Sequence, residues 1–358
     1  MAKPRRRWPG LVLAGALGLV AGAPAGAGDL ASLPGWAEED AAAALAPFRA
    51  GCRELARRAP DAPLGGRGPI AARAGRPAAW DLVCAEAMAL PAGAERDFLE
   101  RRLEPMPVGT GLLTGYYEPQ LSGRLAPDAP HPTPLRGLPP APPEGMPLPD
   151  RAAIEAGALD GLSPILVHVD PVEAFFLQVQ GSGRVLLPDG GLLRLRYAGK
   201  NGHPYRAIGR VLLERGAIAR EAMSMQAIRA WLAAAPPEAA MALLNENPSY
   251  VFFQRDEALR PDEGPPGTLG VPLTPGRSMA VDPAFIPLGV PVWIVTRDPL
   301  DGSPIRRLVQ AQDTGGAIRG AARGDLFFGW GEAAAARAGP MREVVEMTVL
   351  VPREGVAP

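Results

Sequence analysis

The sequence predicts a mainly β protein with several helices, built from short strands that form small barrels. Glycine and proline each occur 43 times in 358 residues, and this composition is typical of turns and strand edges rather than of a helical bundle. Apolar runs of strand length recur in the last third of the chain, separated by these two residues, as in small barrels rather than in a doubly wound sheet. The length is sufficient for two domains, each with its own core.

Hydrophobic periodicity predicts six helices and eight strands along the chain. Helices are predicted over residues 35–58, 80–90, 94–103, 151–158 and 204–215, with another that starts at Ser224. Strands are predicted over residues 110–119, 164–169, 184–187, 191–197, 269–273, 290–296, 305–311 and 344–351. Residues 126–150 hold ten prolines and are expected to form an extended connection without regular structure, at a domain border.

The first 27 residues have the features of a secretory signal peptide. Basic residues precede a short apolar run, and small residues follow it, so we expect cleavage after Ala27. An uncleaved membrane anchor is the alternative, but the apolar run is shorter than the roughly 20 residues that span a bilayer. No cysteine lies near the cleavage region to accept a lipid. The mature chain is therefore expected in an exported compartment.

Charge and cysteine content exclude several classes of partner. The formal net charge is −1, so no bulk attraction to nucleic acid or to an anionic membrane is expected. In an exported chain, Cys52 and Cys84 favour a disulfide that closes a loop of roughly 30 residues, with two buried thiols as the alternative. Two cysteines and three scattered histidines lack the spacing of a zinc site. Neither a metal nor another cofactor is expected.

The segment around Asp313 gives the clearest indication of a catalytic site. Asp313 ends an apolar strand run, and Gly315 follows it closely, which leaves room for a bulky polymer beside a carboxylic acid. Asp325 lies further along, either as a second carboxylate in a groove or as an anchor for the loop that bears Asp313, and the anchor is favoured. Asp282 precedes a proline and is expected to cap a turn.

The same segment also matches the short signature of aspartic proteases, Asp-Thr-Gly. That chemistry needs two aspartates that share a proton, from two such triplets or from a symmetric dimer. The sequence contains one triplet, so a protease is not favoured.

Five short segments, in order along the chain, combine aromatic, amide and glycine residues. They are residues 112–119 (LLTGYYEP), 175–183 (FFLQVQGSG), 197–205 (YAGKNGHPY), 247–253 (NPSYVFF) and 311–318 (AQDTGGAI). These segments resemble those of the membrane-bound lytic transglycosylase A family. The last third of the chain, with its aspartate trio, is similar to the three-aspartate domain of that family.

The resemblance implies a double-psi β-barrel domain, a second β-barrel-like domain inserted into it, and a groove between the two. We expect the barrel domain over residues 28–117 and 261–358, and the inserted glycan-binding domain over residues 118–260. The implied activity is cleavage of the β-1,4 bond between N-acetylmuramic acid and N-acetylglucosamine in periplasmic peptidoglycan, with formation of a 1,6-anhydro ring. Asp313 would be the single catalytic acid, and no cofactor is implied.

The best-known members of this family are outer-membrane lipoproteins, which suggests that this protein is located near that membrane. Without a lipid-accepting cysteine in this chain, attachment is expected to be peripheral at most. A monomer is expected, with glycan strands as the main partner and other cell-wall enzymes as further ones.

Candidate substrate-binding residues lie within the same segments. Tyr116 and Tyr117 offer rings for stacking on sugars and hydroxyls for hydrogen bonds, unless they are ordinary core aromatics. Gln178 and Gln180 are spaced by two, as on one face of a strand, and would bind N-acetyl or hydroxyl groups unless that face is merely solvated. The remaining candidates lie in or beside glycine-containing turns: Gly181, Lys200, Asn201 and Tyr205.

Two other classes of function remain open. A peptidoglycan hydrolase would need a second carboxylate, for which Asp325 and Glu118 are the candidates. A non-catalytic glycan-binding protein would keep the tyrosines and glutamines but tolerate the loss of Asp313.

Overall fold

A helical N-terminal part precedes a strand-rich remainder. The computed structural model describes residues 28–141 and 146–355, so the predicted signal peptide lies outside the described residues. The strands are β1 (Leu103–Glu118), β2 (Gln120–Ser122), β3 (Thr133–Arg136), β4 (Ile165–Val169), β5 (Ser182–Leu186), β6 (Leu192–Lys200), β7 (Val251–Arg255), β8 (Ser278–Val281), β9 (Pro291–Arg297), β10 (Pro304–Asp313), β11 (Arg323–Trp330) and β12 (Arg342–Pro352). The α-helices are α1 (Ala41–Leu55), α2 (Gly68–Ala74), α3 (Asp81–Ala89), α4 (Glu95–Arg102), α5 (Arg151–Glu155), α6 (Pro171–Gln180), α7 (Ile208–Glu214), α8 (Met225–Ala234), α9 (Pro237–Asn245) and α10 (Gly331–Ala338).

Strand β1 and the strands from β8 onward close into a barrel, in the order β1-β11-β8-β10-β9-β12. β1 runs parallel to β11 and β10 parallel to β8, whereas the other neighbours are antiparallel. Buried apolar side chains from several of these strands, among them Leu113, Trp293 and Met347, belong to one core. The prediction of a β-rich fold is confirmed, and the closed barrel fits the double-psi barrel that the resemblance implies.

The strands between β1 and β8 form a second unit. Its sheets are four-stranded, in the order β2-β5-β6-β7, and two-stranded, β3-β4. Both sheets and helix α6 contribute to one apolar core, which includes Leu135, Val167, Leu177, Val185 and Phe253. The proposed domain limits at residues 117/118 and 260/261 stay a prediction.

The N-terminal helices pack against one flank of the barrel. Phe48 on α1 meets Trp80 edge to face, with ring centroids 5.9 Å apart. A disulfide joins Cys52 on α1 to Cys84 on α3, with an S–S distance of 2.09 Å. It closes a loop of 32 residues, which stabilises the helical layer by about 3–4 kcal/mol in the chain-entropy model. Within residues 28–141 and 146–355, no helix combines the length and apolar character needed to cross a bilayer.

The predicted strand character of the segment around Gln178 is wrong, because this segment is helix α6. The Asp170 side chain accepts hydrogen bonds from the backbone N–H groups of Val172 and Glu173, and Pro171 occupies the first helical position. Gly181, at φ 83°, ends the helix in the left-handed region. Asp170 and Pro171 signal the start of a helix, but the aromatic residues that follow them favoured a strand in the prediction.

Three other expectations need correction. Residues 269–273 form turns with one isolated bridge, because the buried side chains of Leu269 and Leu273 are accommodated by a folded loop instead of a strand. The proline-rich stretch 126–150 contains β3, which pairs with β4. The helix predicted from residue 204 begins at Ile208, since Pro204 lies upstream of the helix. The elements that sequence patterns missed are α2, α9, α10, β2, β7, β8 and β11.

A buried ion-pair cluster joins the second unit to the barrel. The Glu118 carboxylate, at the end of β1, accepts from Arg184 Nε at 2.7 Å and from Arg194 Nη2 at 3.1 Å. Arg184 also donates to the backbone oxygen of Pro261 at 2.6 Å, and its guanidinium lies 3.6 Å from the ring centroid of Trp330. All three charged side chains are almost completely buried. The cluster therefore holds the two chain segments, at Glu118 and at Pro261, that connect the barrel to the second unit.

Replacing Glu118 with Gln is expected to lower the free energy of unfolding by about 3–5 kcal/mol, because two buried guanidinium groups lose their carboxylate. Urea unfolding followed by tryptophan fluorescence measures the change. Glu214→Gln is the matched control, since Glu214 pairs with Arg210 at 3.0 Å on the exposed surface, where such a pair contributes about 0.5 kcal/mol or less. Equal effects of the two substitutions would contradict the assigned role of the cluster.

Candidate active site

Strand β8 brings two of the three predicted aspartates into one row. Ala280 pairs with Asp313 on β10 at one side and with Asp325 on β11 at the other. Thr114 on β1 pairs in turn with Asp325. Neighbouring strands lie about 4.8 Å apart, so the backbones of the two aspartates are about 10 Å apart, with a small alanine side chain between them.

Asp313 is half-buried and hydrogen-bonded through both carboxyl oxygens. Its Oδ1 accepts from the backbone N–H of Thr268 at 3.0 Å and from the Thr268 hydroxyl at 2.9 Å. Its Oδ2 accepts from the Tyr116 hydroxyl at 2.9 Å. Thr268 is exposed, so solvent reaches this carboxyl. In the described part of the chain Asp313 forms no ion pair.

Tyr116 contacts Asp313 and remains a hydrogen-bond donor. Burial and the negative charge of Asp313 raise the pKa of Tyr116 well above its ordinary value, and Asp325 adds to the rise. Its ring packs against Phe327 with a centroid distance of 5.3 Å. The hydroxyl therefore keeps its proton and faces the carboxyl of Asp313.

Asp325 has a different environment from Asp313. Its Oδ1 accepts from the Thr114 hydroxyl at 2.6 Å, and Arg323 Nη2 donates to that same hydroxyl oxygen at 2.9 Å. Burial raises the pKa of Asp325, the nearby Asp313 adds to the rise, and the Thr114 hydrogen bond and the Arg323 charge oppose it. This carboxyl holds its proton to a higher pH than an exposed aspartate does.

Asp282 follows β8 and fastens the loop that comes after Asp313. Its Oδ2 accepts from the backbone N–H of Gly320 at 2.8 Å, and its Oδ1 from that of Ala284 at 3.0 Å. Burial alone would raise the pKa of Asp282, but these backbone donors and two nearby arginine charges outweigh burial and hold it below the usual range. The contacts are those of the turn cap that the sequence predicts.

Gly315 lies in the same loop, against Ile318. A Cβ at Gly315 would come within 2.8 Å of the Ile318 side chain. A larger residue would therefore move the loop beside Asp313.

The two glutamines do not share a face. Gln178 is buried in α6 and accepts a hydrogen bond from Arg151, whereas Gln180 is exposed at the C-terminal end of that helix. A helix turns about 100° per residue, so a spacing of two separates side chains instead of aligning them. The expectation that both bind sugar from one strand face is wrong.

The remaining predicted residues divide between buried and exposed positions. Asn201 is buried, and its Nδ2 donates to the backbone oxygens of Pro149 at 3.0 Å and Pro248 at 2.9 Å, so this amide joins backbone segments. Lys200 and Tyr205 are exposed, and Tyr117 is half-buried. Gly181 has the conformational role in ending α6 described above.

Sequence patterns missed three residues of the site. Thr268 contacts Asp313, Thr114 contacts Asp325, and Arg323 contacts Thr114. Thr114 lies within the segment LLTGYYEP, so its position beside Tyr116 on a predicted strand was an available signal. Thr268 lies in a proline- and glycine-rich run without periodicity, and this run contains no signal for a site residue. Among the described residues, no group of acidic, histidine or cysteine side chains is arranged to hold a metal ion.

Comparison with known proteins matches both parts of the fold. Residues 112–254 match the model of the MltA specific insert domain, and residues 277–351 match that of the 3D domain. The membrane-bound lytic murein transglycosylase A of Vibrio cholerae is 39% identical over 240 residues, or 64% of this chain and 62% of that protein. The Escherichia coli K12 protein of the same name is 38% identical over 239 residues, or 64% of this chain and 63% of that protein. The matched part thus spans less than two thirds of these curated relatives.

Solved structures are similar over more of the chain. The lytic transglycosylase LtgG of Burkholderia pseudomallei is 40% identical, with a TM-score of 0.66, over 93% of this chain and 97% of that one. MltA from Neisseria gonorrhoeae is 32% identical, with a TM-score of 0.75, over 93% of this chain and 91% of that one. MltA of Escherichia coli with bound chitohexaose is 29% identical, with a TM-score of 0.61, over 86% of this chain and 90% of that one.

The barrel, its aspartate row and the two domain matches define a 3D-domain protein with an MltA-type insert. More particularly, the chain belongs to the membrane-bound lytic murein transglycosylase A family. The family resemblance found in the sequence is thereby confirmed.

The raised pKa of Asp325 predicts a pH-dependent effect on stability. A carboxyl whose pKa is higher in the folded chain than in the unfolded chain binds more protons when folded, so stability falls as the pH rises from the unfolded-state value, about 3.9, through the folded-state value. Asp325→Asn keeps an oxygen opposite Thr114 and removes this titration. Calorimetry over a pH series should show Tm of the variant rising relative to wild type as the pH increases above the unfolded-state value of about 3.9.

Asp189→Asn is the control for this experiment, because Asp189 is exposed in the turn between β5 and β6. Its Tm curve should run parallel to that of wild type. A parallel curve for Asp325→Asn as well would refute the buried, proton-retaining environment of Asp325.

Proposed function

We propose that the protein is a lytic transglycosylase that cleaves the β-1,4 bond between N-acetylmuramic acid and N-acetylglucosamine in peptidoglycan. The observation that carries the proposal is the environment of Asp313: a half-buried, solvent-reached carboxyl with three hydrogen-bond donors and, among described residues, no cationic partner. Such a carboxyl is oriented but not neutralised by an ion pair. The names of the relatives and the chitohexaose bound to the Escherichia coli protein support a glycan substrate.

In the proposed mechanism one carboxyl serves twice. Asp313 donates its proton to the glycosidic oxygen while the bond from C1 to that oxygen breaks, and the leaving sugar departs as an alcohol. The ionised Asp313 then takes the proton of the C6 hydroxyl, whose oxygen attacks C1 and closes the 1,6-anhydro ring. The proton returns to Asp313 and no water is consumed. A nucleophile within the same sugar has a large effective molarity, which removes the need for a positioned water.

Tyr116 has a defined part in this cycle. Because its pKa is raised well above the ordinary value, it stays neutral when Asp313 ionises and donates a hydrogen bond to the new negative charge. A donor already in place lowers the energy of that state without reorganisation.

The hydrolase alternative depends on a second carboxylate. Glu118 does not fit that role, because its carboxylate is buried between Arg184 and Arg194. Asp325 is the remaining candidate, on the strand beyond β8 from Asp313. Its raised pKa makes it a poor base at low pH, so we favour a supporting role for it.

We further propose that residues 118–260 form the glycan-binding insert and that residues 28–117 and 261–358 form the catalytic barrel domain. Barrel strands lie on both sides of the insert in the sequence, and the match to the insert model covers residues 112–254. The exposed candidates for glycan contacts are Gln180, Lys200 and Tyr205. The disulfide favours an oxidising compartment, the periplasm, for the activity.

The reaction products test the proposal directly. Purified peptidoglycan is digested in water enriched in oxygen-18, and the released muropeptides are analysed by mass spectrometry. A transglycosylase yields anhydro-muropeptides without the label, since no water enters the bond. A hydrolase yields reducing ends with one labelled oxygen, and a binding protein leaves the glycan unchanged; either result would overturn the proposal.

Asp313→Asn should lower the rate of anhydro-muropeptide release by at least about 100-fold, because the general acid is lost. Binding to peptidoglycan sacculi, measured by co-sedimentation, should persist because the fold and the insert are unchanged. Asp189→Asn makes the same chemical change at an exposed turn and should retain the wild-type rate. Wild-type turnover by Asp313→Asn would remove Asp313 from the mechanism.

Asp325→Asn separates the one-carboxyl from the two-carboxyl mechanism. If Asp325 supports the site from a buried position, the variant should still release anhydro products, with a rate within about 10-fold of wild type. If Asp325 acts as the base of a hydrolase, the variant should lose labelled reducing ends altogether. The same oxygen-18 digest distinguishes the two outcomes.

A further inference from the structure

Thr268 holds one oxygen of Asp313 with two donors. Its backbone N–H lies 3.0 Å and its hydroxyl 2.9 Å from Asp313 Oδ1, across 45 residues of sequence. The Thr268 hydroxyl also lies 2.9 Å from that of Thr314. A hydroxyl has one proton to donate, and Thr268 donates it to Asp313. Thr314 is therefore the donor to Thr268, and the chain of hydrogen bonds runs towards the carboxyl.

The loop that bears Thr268 is fastened to the strand end that bears Asp313. The backbone N–H of Leu269 donates to the Gln312 oxygen at 3.0 Å, and Arg58 Nη2 donates to the Leu269 oxygen at 2.8 Å. A Cβ at Gly267 would lie 2.5 Å from the Gln312 oxygen. Only glycine permits this close approach of loop to strand, and the approach places Thr268 against Asp313.

Helix α1 supports both parts of this arrangement. Gln312 is fully buried, and its Nε2 donates to the Pro47 oxygen of α1 at 2.9 Å. Its Oε1 accepts from the Ser278 hydroxyl at 2.6 Å. Arg58, just beyond the end of α1, holds the loop as described. The strand end and the loop thus share one rigid support, and neither Thr268 nor Asp313 needs to be ordered by substrate.

We propose that Thr268 is a positioning residue that decides which oxygen of Asp313 carries the transferred proton. Asp313 Oδ1 already accepts two hydrogen bonds, so a proton on Oδ1 would point towards two donors. The proton therefore resides on Oδ2, the oxygen that Tyr116 also contacts, and the glycosidic oxygen must approach from that side. This inference rests on the proposed function of Asp313 and adds the residue that orients it.

Thr268→Val removes the hydroxyl at nearly constant volume and keeps the backbone donor. We expect kcat for anhydro-muropeptide release to fall about 10- to 100-fold, with KM and sacculus binding unchanged, since the lost interaction is one hydrogen bond to the reacting carboxyl. Thr268→Ser retains the hydroxyl and should restore the rate.

Thr110→Val is the matched control. It makes the same change on an exposed threonine of β1 that is not part of the site, and its kcat should stay within about threefold of wild type, because valine suits an exposed strand position as well as threonine does. Calorimetry establishes that each variant is folded; should Thr268→Val prove unfolded, Thr268→Ala performs the same test without adding a methyl group. A kcat for the Thr268 variant equal to that of the Thr110 control would overturn the proposal.

Failure of this inference is distinguishable from failure of the proposed function. If Asp313→Asn is inactive while Thr268→Val and Thr268→Ala behave as wild type, Asp313 is the acid and Thr268 does not orient it. If the wild type releases no anhydro products, the proposed function itself is wrong; if Asp313→Asn retains full turnover, Asp313 is not the acid and the positioning role falls with it. A parallel loss of glycan binding and rate in the Thr268 variant would assign the residue a structural role and overturn the inference as well.

Discussion

The register of β8 against its two neighbours is the constraint on which the site depends. Ala280 faces Asp313 on one side and Asp325 on the other, and a slip by one residue would turn one set of side chains to the opposite face. Buried contacts hold this register. The Ser278 hydroxyl donates to Gln312, and a Cβ at Gly324 would lie 2.6 Å from the sulfur of Met279. Close packing across three strands thus fixes two carboxyls without any contact between them.

The strands that carry the site also carry the connection to the second unit. Glu118 ends the strand that bears Tyr116, and Trp330 ends the strand that bears Asp325. Arg184 contacts both of these strand ends. A guanidinium that is hydrogen-bonded, paired and stacked has few alternative arrangements. The orientation of the second unit therefore depends on the same barrel strands that carry Tyr116 and Asp325.

Local signals in the sequence were sufficient for much of the fold. Alternating apolar residues gave the strands around residues 290–296, 305–311 and 344–351 to within a few residues, and Ser224 gave the start of α8 because its hydroxyl caps Ala227. Strand β11 was missed because its glycines and Asp325 have low strand propensity, which barrel closure overrides. Helix α6 was mistaken for a strand because its aromatic run outweighed the capping signal of Asp170 and Pro171.

The catalytic candidate was also accessible to sequence reasoning, but its partners were not. Asp313 stands out through the glycines that follow it and through the family resemblance. Its hydrogen bond to Tyr116 spans 197 residues and that to Thr268 spans 45. Tyr116 was itself a candidate from its segment, and Thr268 was not, but neither contact with Asp313 has a local signal, because each arises only when the barrel closes and the loop folds back. Long-range contacts of this kind have no local pattern from which to predict them.

The two aspartates of the row are both half-buried but differ in their hydrogen-bond partners. Asp325 accepts from the Thr114 hydroxyl and has a pKa that burial raises, whereas Asp313 accepts from three donors. Neighbouring carboxyls in unlike environments take unlike roles. The raised pKa of Asp325 lets it hold its proton to a higher pH than an exposed aspartate does, which limits the like charge beside Asp313. In the proposed mechanism the proton leaves Asp313 and returns to it within one cycle, and the sugar supplies its own nucleophile.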